Sequence, residues 1–243
     1  MQSTLRFIRP FLITSLLIVC LSVLAMALLL RGSLPNYDGE TALPGLAATV
    51  SIDRDALGSV TLQGENRLDL AQALGYVHAQ ERFFEMDLMR RQAAGELAEL
   101  FGSGVAPHDR KARLFRMRAR ATKVLNQLSG EQRQLLDAYR TGVNQGLTAL
   151  AVRPFPYLLT QNQPVAWRNE DSILVIYAMF FTLNEENIDR ELALSRLHAT
   201  LPASVYQFLT QNAGNWDAPL LDAPITQAQL PPATDINLQV LDK

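Results

Sequence analysis

Apolar and polar positions follow three rhythms along this chain, and each rhythm predicts an element. The first is an unbroken apolar run, Phe11 to Leu30, which carries no charge and has only Thr14, Ser15, Cys20 and Ser22 as mild interruptions. Roughly 20 apolar residues cross a ~30 Å hydrocarbon core as a helix. Arg6 and Arg9 precede it, so they stay cytoplasmic and the remainder lies outside the inner membrane, facing the periplasm. A cleavable signal would use Ala25-Met26-Ala27 as its small-residue site, whereas Leu28-Leu29-Leu30 continue the apolar run past it. The span length favours an uncleaved anchor.

A linker rich in Gly and Pro follows, with Gly32, Pro35, Gly39, Pro44 and Gly45. The second rhythm is a loose alternation from Thr49 to Leu62, interrupted by Asp55 and Gly58, and it predicts a β-hairpin. The third is helical. Leu70, Leu74, Val77, Phe84 and Leu88 recur at steps of three and four, with Glu81 on the same stripe. Asp69 is the expected N-cap, Gly95 a possible break, and Gly102 to Pro107 the end. A second helix is expected through Leu114, Met117, Ala121, Val124 and Leu128, its arginines from Arg110 to Arg120 forming a solvated face. Ser129 starts another, with Gln132 placed for a capping box. Ser172 to Leu183 is apolar all round, which predicts a central buried helix continuing through Ile188, Leu192 and Leu197 until Pro202. The predicted organisation is therefore an anchor or signal over 1–31, a linker over 32–47, one mainly α domain with a short N-terminal hairpin over 48–210, and a loop-like spacer over 211–243.

Composition narrows the function classes. Lys and Arg total 22 against 24 Asp and Glu, and the resulting net charge of -2 gives no basic surplus for nucleic acid. The single Cys20 excludes an intrachain disulfide and a CxxC zinc site. Val19 before it is too large for the small residue that a lipidation site wants. His78, His108 and His198 are scattered, and no HExxH, GxSxG, Walker or GxGxxG motif is present. Physical reading alone stops at an anchored, mostly helical extracytoplasmic domain.

Ordered motifs go further. Leu30-Arg31-Gly32-Ser33-Leu34-Pro35 follows the apolar run, and then comes Ala73-Leu-Gly-Tyr-Val-His-Ala-Gln-Glu-Arg-Phe-Phe-Glu-Met-Asp-Leu-Met-Arg-Arg91 with Gly95-Glu-Leu-Ala-Glu-Leu-Phe-Gly102. Ala138-Tyr-Arg-Thr-Gly-Val-Asn144, Pro164-Val-Ala-Trp-Arg-Asn-Glu-Asp-Ser172 and Glu191-Leu-Ala-Leu-Ser-Arg-Leu197 complete the series. In this order they resemble the α-subunit region of the penicillin acylase family of N-terminal-nucleophile hydrolases, over roughly residues 30 to 200.

The resemblance implies the α-region of an αββα fold and a precursor that cuts itself into α and β chains. The β chain's N-terminal serine then attacks an amide, with its own α-amino group as base and β-chain oxyanion donors. The family's junction reads Gly-Ser-Asn, and this sequence contains no Ser-Asn pair; Gly214-Asn215-Trp216 reads as spacer. The chain is thus expected to carry no catalytic residue of its own, and to be either one processed chain or a truncated product. The resemblance further implies that Met179, Phe181 and Leu183 serve an acyl pocket, with Phe180 better read as core. It makes Glu191 a candidate ligand of a structural calcium, set against an exposed glutamate paired with Arg190 or Arg196. A β-subunit and a small acylated substrate, of penicillin or acyl-homoserine lactone type, are the implied partners. A non-catalytic anchored helical module is the rival reading. Glu81 is read as a buried structural acid needing a partner, with Arg82, Arg90 or a β-chain group as candidates, and His78 as a satisfied histidine rather than a ligand.

Overall fold

The computed structural model describes residues 2–211 and 229–236. Two compact units divide the chain, Met1–Phe180 and Phe181–Lys243.

In the first unit, α1 runs Gln2–Gly32 and contains the predicted apolar span. The hairpin forms as expected: β1 Ser51–Arg54 pairs antiparallel with β2 Val60–Gln63, Ile52 opposite Leu62. Its turn is closed by Asp55, whose Oδ1 accepts the N–H groups of Leu57 and Ser59 at 2.9 and 2.8 Å.

The long helix α2 spans Arg67–Ala94, and its N-cap is Asn66 rather than Asp69: the Asn66 side chain accepts from the Asp69 N–H. Asp69 is instead buried, and its two oxygens accept the N–H groups of Ala47 and Ala48 at 2.9 Å each, tying the end of the linker to α2. The predicted stripe holds only in part. Arg82 leaves helical geometry (φ -147, ψ 29), which resets the phase, so Phe83, Met86, Asp87, Arg90, Arg91 and Ala94 form the buried face beyond it. Phe84 and Leu88 pack at the margin of the core. Gly95 ends α2 in the left-handed region, φ 71.

Short α3 Ala98–Phe101 and α4 Ala106–Arg113 follow. Arg116 sits at φ 53, so the helix expected through Leu114 is interrupted, and α5 begins at Met117 and ends at Gln127. The Ser129 capping box is present and starts α6, Gly130–Ala149. This helix packs face to face on α2, close enough that a Cβ on Gly142 would lie 1.8 Å from the Gln72 carbonyl oxygen and one on Gly75 would lie 2.2 Å from that of Tyr139. Glycine is required there for backbone approach. A small helix α7, Phe155–Leu159, turns the chain toward α8, Asn169–Thr200. One core gathers Phe83, Val143, Tyr157 and Trp167; another gathers Ala93, Ala121, Ile173, Leu174 and Ala178.

The second unit contains the later turns of α8 and a helix that periodicity had not signalled, α9 Ala203–Thr210, which starts after Pro202 and buries Val205. His198 and Tyr206 meet edge to face at 4.8 Å. Of the spacer expected over 211–243, residues 212–228 and 237–243, including Gly214-Asn215-Trp216, lie outside the described residues.

Candidate functional site

The residue types able to do chemistry collect in one buried cluster of the first unit. Asp87, 0% exposed, accepts from Arg90 Nε at 2.6 Å and from Arg91 Nε at 2.9 Å on one oxygen. Its other oxygen accepts the Tyr157 hydroxyl at 2.6 Å. Arg90 extends to Asp171 at 2.5 Å and donates to the carbonyls of Val165 and Ala166, with its guanidinium 5.0 Å above the Trp167 ring. Arg91 reaches Glu99 at 2.5 Å. Arg118 bridges both Glu96 oxygens, at 2.7 and 2.5 Å, and the second Asp171 oxygen at 3.1 Å.

The spacing Asp87-x-x-Arg90-Arg91 makes this possible, because residues three and four apart share a helix face. Burial opposes the charge on Arg91 and Arg118, but the carboxylates of Asp87 and of Glu96 outweigh it and raise both guanidinium pKa values. Burial, reinforced by the Asp87 charge, pushes the Tyr157 phenol far above its ordinary value. Each carboxylate oxygen of Asp87 and Asp171 has a donor, so neither is free to act as base or nucleophile. The cluster is architecture: buried charges persist when paired and hydrogen-bonded on all sides. It joins α2, α5, α7 and the Val165–Arg168 segment to the first turn of α8.

Three expectations change here. Glu81 pairs with Arg54 of β1 at 2.5 Å, not with Arg82 or Arg90, because the hairpin folds back over α2. The arginine run is not wholly solvated, since Arg118 enters the ion cluster and Arg113 Nε donates to the Gly95 carbonyl at 2.7 Å. The start of α8 is not buried all round. Ile173, Leu174 and Ala178 are buried, whereas Ile176, Met179 and Phe180 are 63%, 54% and 52% exposed. The all-apolar sequence therefore buries one face in this unit and leaves Ile176 and Met179 open, while Phe180, expected as core, is half exposed.

The remaining expected site residues lie along α8. Met179 is exposed in the first unit; in the second, Phe181 is half-buried, Leu183 is exposed and Glu191 is exposed with its carboxylate 3.3 Å from Arg190. One carboxylate gives at most two of the six to eight oxygens that calcium takes. Among the described residues no group of three or more His, Cys, Asp and Glu converges for a metal, so Glu191 by itself does not constitute a calcium site. His78 bonds the Tyr139 hydroxyl through Nδ1 at 3.0 Å, as a satisfied histidine does. Sequence reasoning missed Asp87, Arg90, Arg91, Arg118 and Asp171 as a unit. The available signal was that four of the five fall inside the recognisable motifs.

The helical arrangement itself defines a class. It superposes with a TM-score of 0.59 on a chain of the thermostable penicillin G acylase of Alcaligenes faecalis, covering 72% of this chain and 98% of that one at 20% identity. The fold is that of a helical region of a penicillin-acylase-type N-terminal-nucleophile hydrolase. The penicillin amidase family model matches residues 49–219, and the chain belongs to that family. It is 36% identical over 147 residues to the penicillin acylase 2 proenzyme of Pseudomonas sp. (strain SE83), covering 60% of this chain and 19% of that protein. It is 30% identical over 213 residues to the acyl-homoserine lactone acylase QuiP of Pseudomonas fluorescens (strain Pf0-1), covering 85% of this chain and 26% of that protein. The chain thus spans about a fifth to a quarter of the length of these relatives.

Proposed function

We propose that this chain is the α-type region of an extracytoplasmic acylase that hydrolyses amides of hydrophobic acyl groups, of the penicillin or acyl-homoserine lactone kind. A β region supplies the nucleophilic serine, its amine base and the oxyanion donors; this chain contributes binding surface and scaffold. The family match over 49–219 carries the reading. The names of the relatives, acylases of penicillin and of acyl-homoserine lactone, support the substrate class.

In this reading α8 brings apolar side chains to the β region. Met179, Phe181 and Leu183 serve the acyl pocket, in keeping with the mostly apolar lining of such pockets. Glu191 adds a carboxylate to a structural calcium whose other oxygens come from the β region. The stretch Ile13–Gly32, long and apolar enough to cross a membrane, anchors the chain in the inner membrane with the domain in the periplasm.

The test is turnover of a chromogenic acyl amide by the full chain alone and after co-expression with a matching β region. No turnover alone and turnover together is expected. Activity of the chain by itself, or a complex that forms without activity, would overturn the reading.

A further inference from the structure

We propose that the domain does not hang from its membrane helix on a free tether but rests on the phospholipid headgroup layer, through a collar formed by Leu34, Phe155 and Leu159 with Arg153. The inference rests on α1 being a membrane anchor. The linker composition after Arg31 suggests a loose connection, and the structure shows a clamp. The Gly32 carbonyl accepts the Val152 N–H at 2.9 Å, and Ser33 is buried with its hydroxyl bonded to the Leu30 carbonyl at 3.0 Å. A Cβ on Gly32 would lie 2.6 Å from Val152 Cγ2, so the helix end and the segment after α6 are in direct contact.

This contact fixes a level. Gly32 closes the apolar span, so it lies where hydrocarbon gives way to headgroups, and the residues bonded to it lie there too. The interfacial layer is ~5–7 Å deep on each side. Leu34 follows Gly32 by two residues, a reach of at most ~7 Å that keeps it in the layer, and Phe155 follows Val152 by three, at most ~11 Å, which leaves it in the layer or within about a side chain's length of it. The exposed side chains of these two segments suit that layer. Leu34 is 62% exposed, Phe155 47% and Leu159 76%. On α7, Tyr157 points into the core while Phe155 and Leu159, two residues to either side, point out. Phe and Leu are among the side chains with which surface-lying helices enter the headgroup boundary.

Arg153 supplies the polar half of the match. It adjoins the clamped Val152, and its buried Nε has no hydrogen-bond partner among the described residues. That nitrogen is enclosed and beyond a lipid's reach, but Arg153 as a whole is half-buried and its terminal guanidinium nitrogens are not enclosed, so a lipid phosphate at this level is an acceptor for them.

The experiment uses the full chain in vesicles of phosphatidylethanolamine and phosphatidylglycerol. An environment-sensitive dye is attached to the native Cys20, or, on a Cys20→Ser background, to Leu34→Cys, Phe155→Cys or Leu114→Cys. Leu114, 80% exposed between α4 and α5, is the comparison site outside the collar. Quenching by lipids carrying a nitroxide near the headgroup or deep in the chain reports depth. The expected result is deep quenching at Cys20, headgroup-level quenching at positions 34 and 155, and aqueous quenching only at 114. Addition of Arg153→Gln should weaken headgroup-level quenching at 155 at least twofold. Aqueous quenching alone at 34 and 155, with Cys20 still deep, overturns the collar. So do headgroup-level quenching at 114, which signals indiscriminate adsorption, and an unchanged signal in Arg153→Gln. If Cys20 is itself accessible to aqueous quencher, it is the anchor reading that fails.

Discussion

The guanidinium of Arg90 meets the carboxylate of Asp171 at 2.5 Å across 81 residues of sequence, both side chains all but sealed from solvent. That bond links the middle of the domain to the first turn of α8. The opposite Asp171 oxygen is held by Arg118, and the Arg168 N–H donates from the preceding loop, at 2.8 Å, to the same oxygen that Arg90 takes. Replacing one partner leaves a buried charge without compensation, which costs about 3–5 kcal/mol. Asp171→Asn is expected to lower stability by an amount in that range, read by denaturant unfolding of the full chain in detergent. A loss below about 1 kcal/mol would show that the cluster is not what positions α8.

The contact of α2 with α6 predicts a sharp contrast between two glycines of the same helix. A methyl on Gly142 meets the Gln72 backbone oxygen, which cannot rotate away, whereas a methyl on Gly130 meets nothing within 4 Å. Gly142→Ala should destabilise by about 3 kcal/mol or more as the helices are forced apart. Gly130→Ala should be neutral or gain up to about 1 kcal/mol from the reduced freedom of the unfolded chain. Equal midpoints for the two variants would refute the close approach.

His78 predicts a pH dependence. Burial, and then the nearby Arg82 charge, lower its pKa from 6.5. The unfolded chain therefore binds more protons between the lowered native value and 6.5, and stability rises with pH through that window. The contribution is complete above about 6.5 and is lost as pH falls through the native pKa. Thermal midpoints from pH 8 to 5 should decline, and His78→Gln should flatten that decline. The hydroxyl partner Tyr139, its own pKa pushed up to about 12 by burial, stays neutral throughout.

The open face of α8 predicts dye binding. Ile176 and Met179 are exposed, and apolar surface left in contiguous patches marks an interaction site. The chain alone should enhance the fluorescence of a hydrophobic dye, and Ile176→Ser with Met179→Ser should reduce that signal while leaving the unfolding midpoint nearly unchanged. A matching β region should suppress it. A large fall in midpoint in the double variant would mean that these side chains belong to the core after all.

Much of this protein was legible in its residues because the determining forces are local. The apolar run, the Asp55 turn, the Ser129–Gln132 capping box and the stop at Pro202 depend on neighbours a few positions away, and each appears where the pattern put it. Family membership was legible for a related reason. Its motifs carry the Asp87, Arg90 and Asp171 charges as well as the glycines that let α2 and α6 touch.

Tertiary structure alone decided the remainder, because those choices compare partners distant in sequence. Asn66 displaced Asp69 as the cap because Ala47 and Ala48 claimed the Asp69 carboxylate. Glu81 chose Arg54 over nearer arginines because the hairpin folds back over α2, and Arg118 left the solvated face because Glu96 and Asp171 were placed to receive it. The kink at Arg82 rotated the buried stripe by a shift that no periodicity encodes. Hydrophobicity established that every side of α8 between Ser172 and Leu183 is apolar. Which side of Ser172–Phe180 the first unit covers was decided by the side chains packed around Ile173, Leu174 and Ala178, since burial is a property of the neighbours a face meets and not of the face itself.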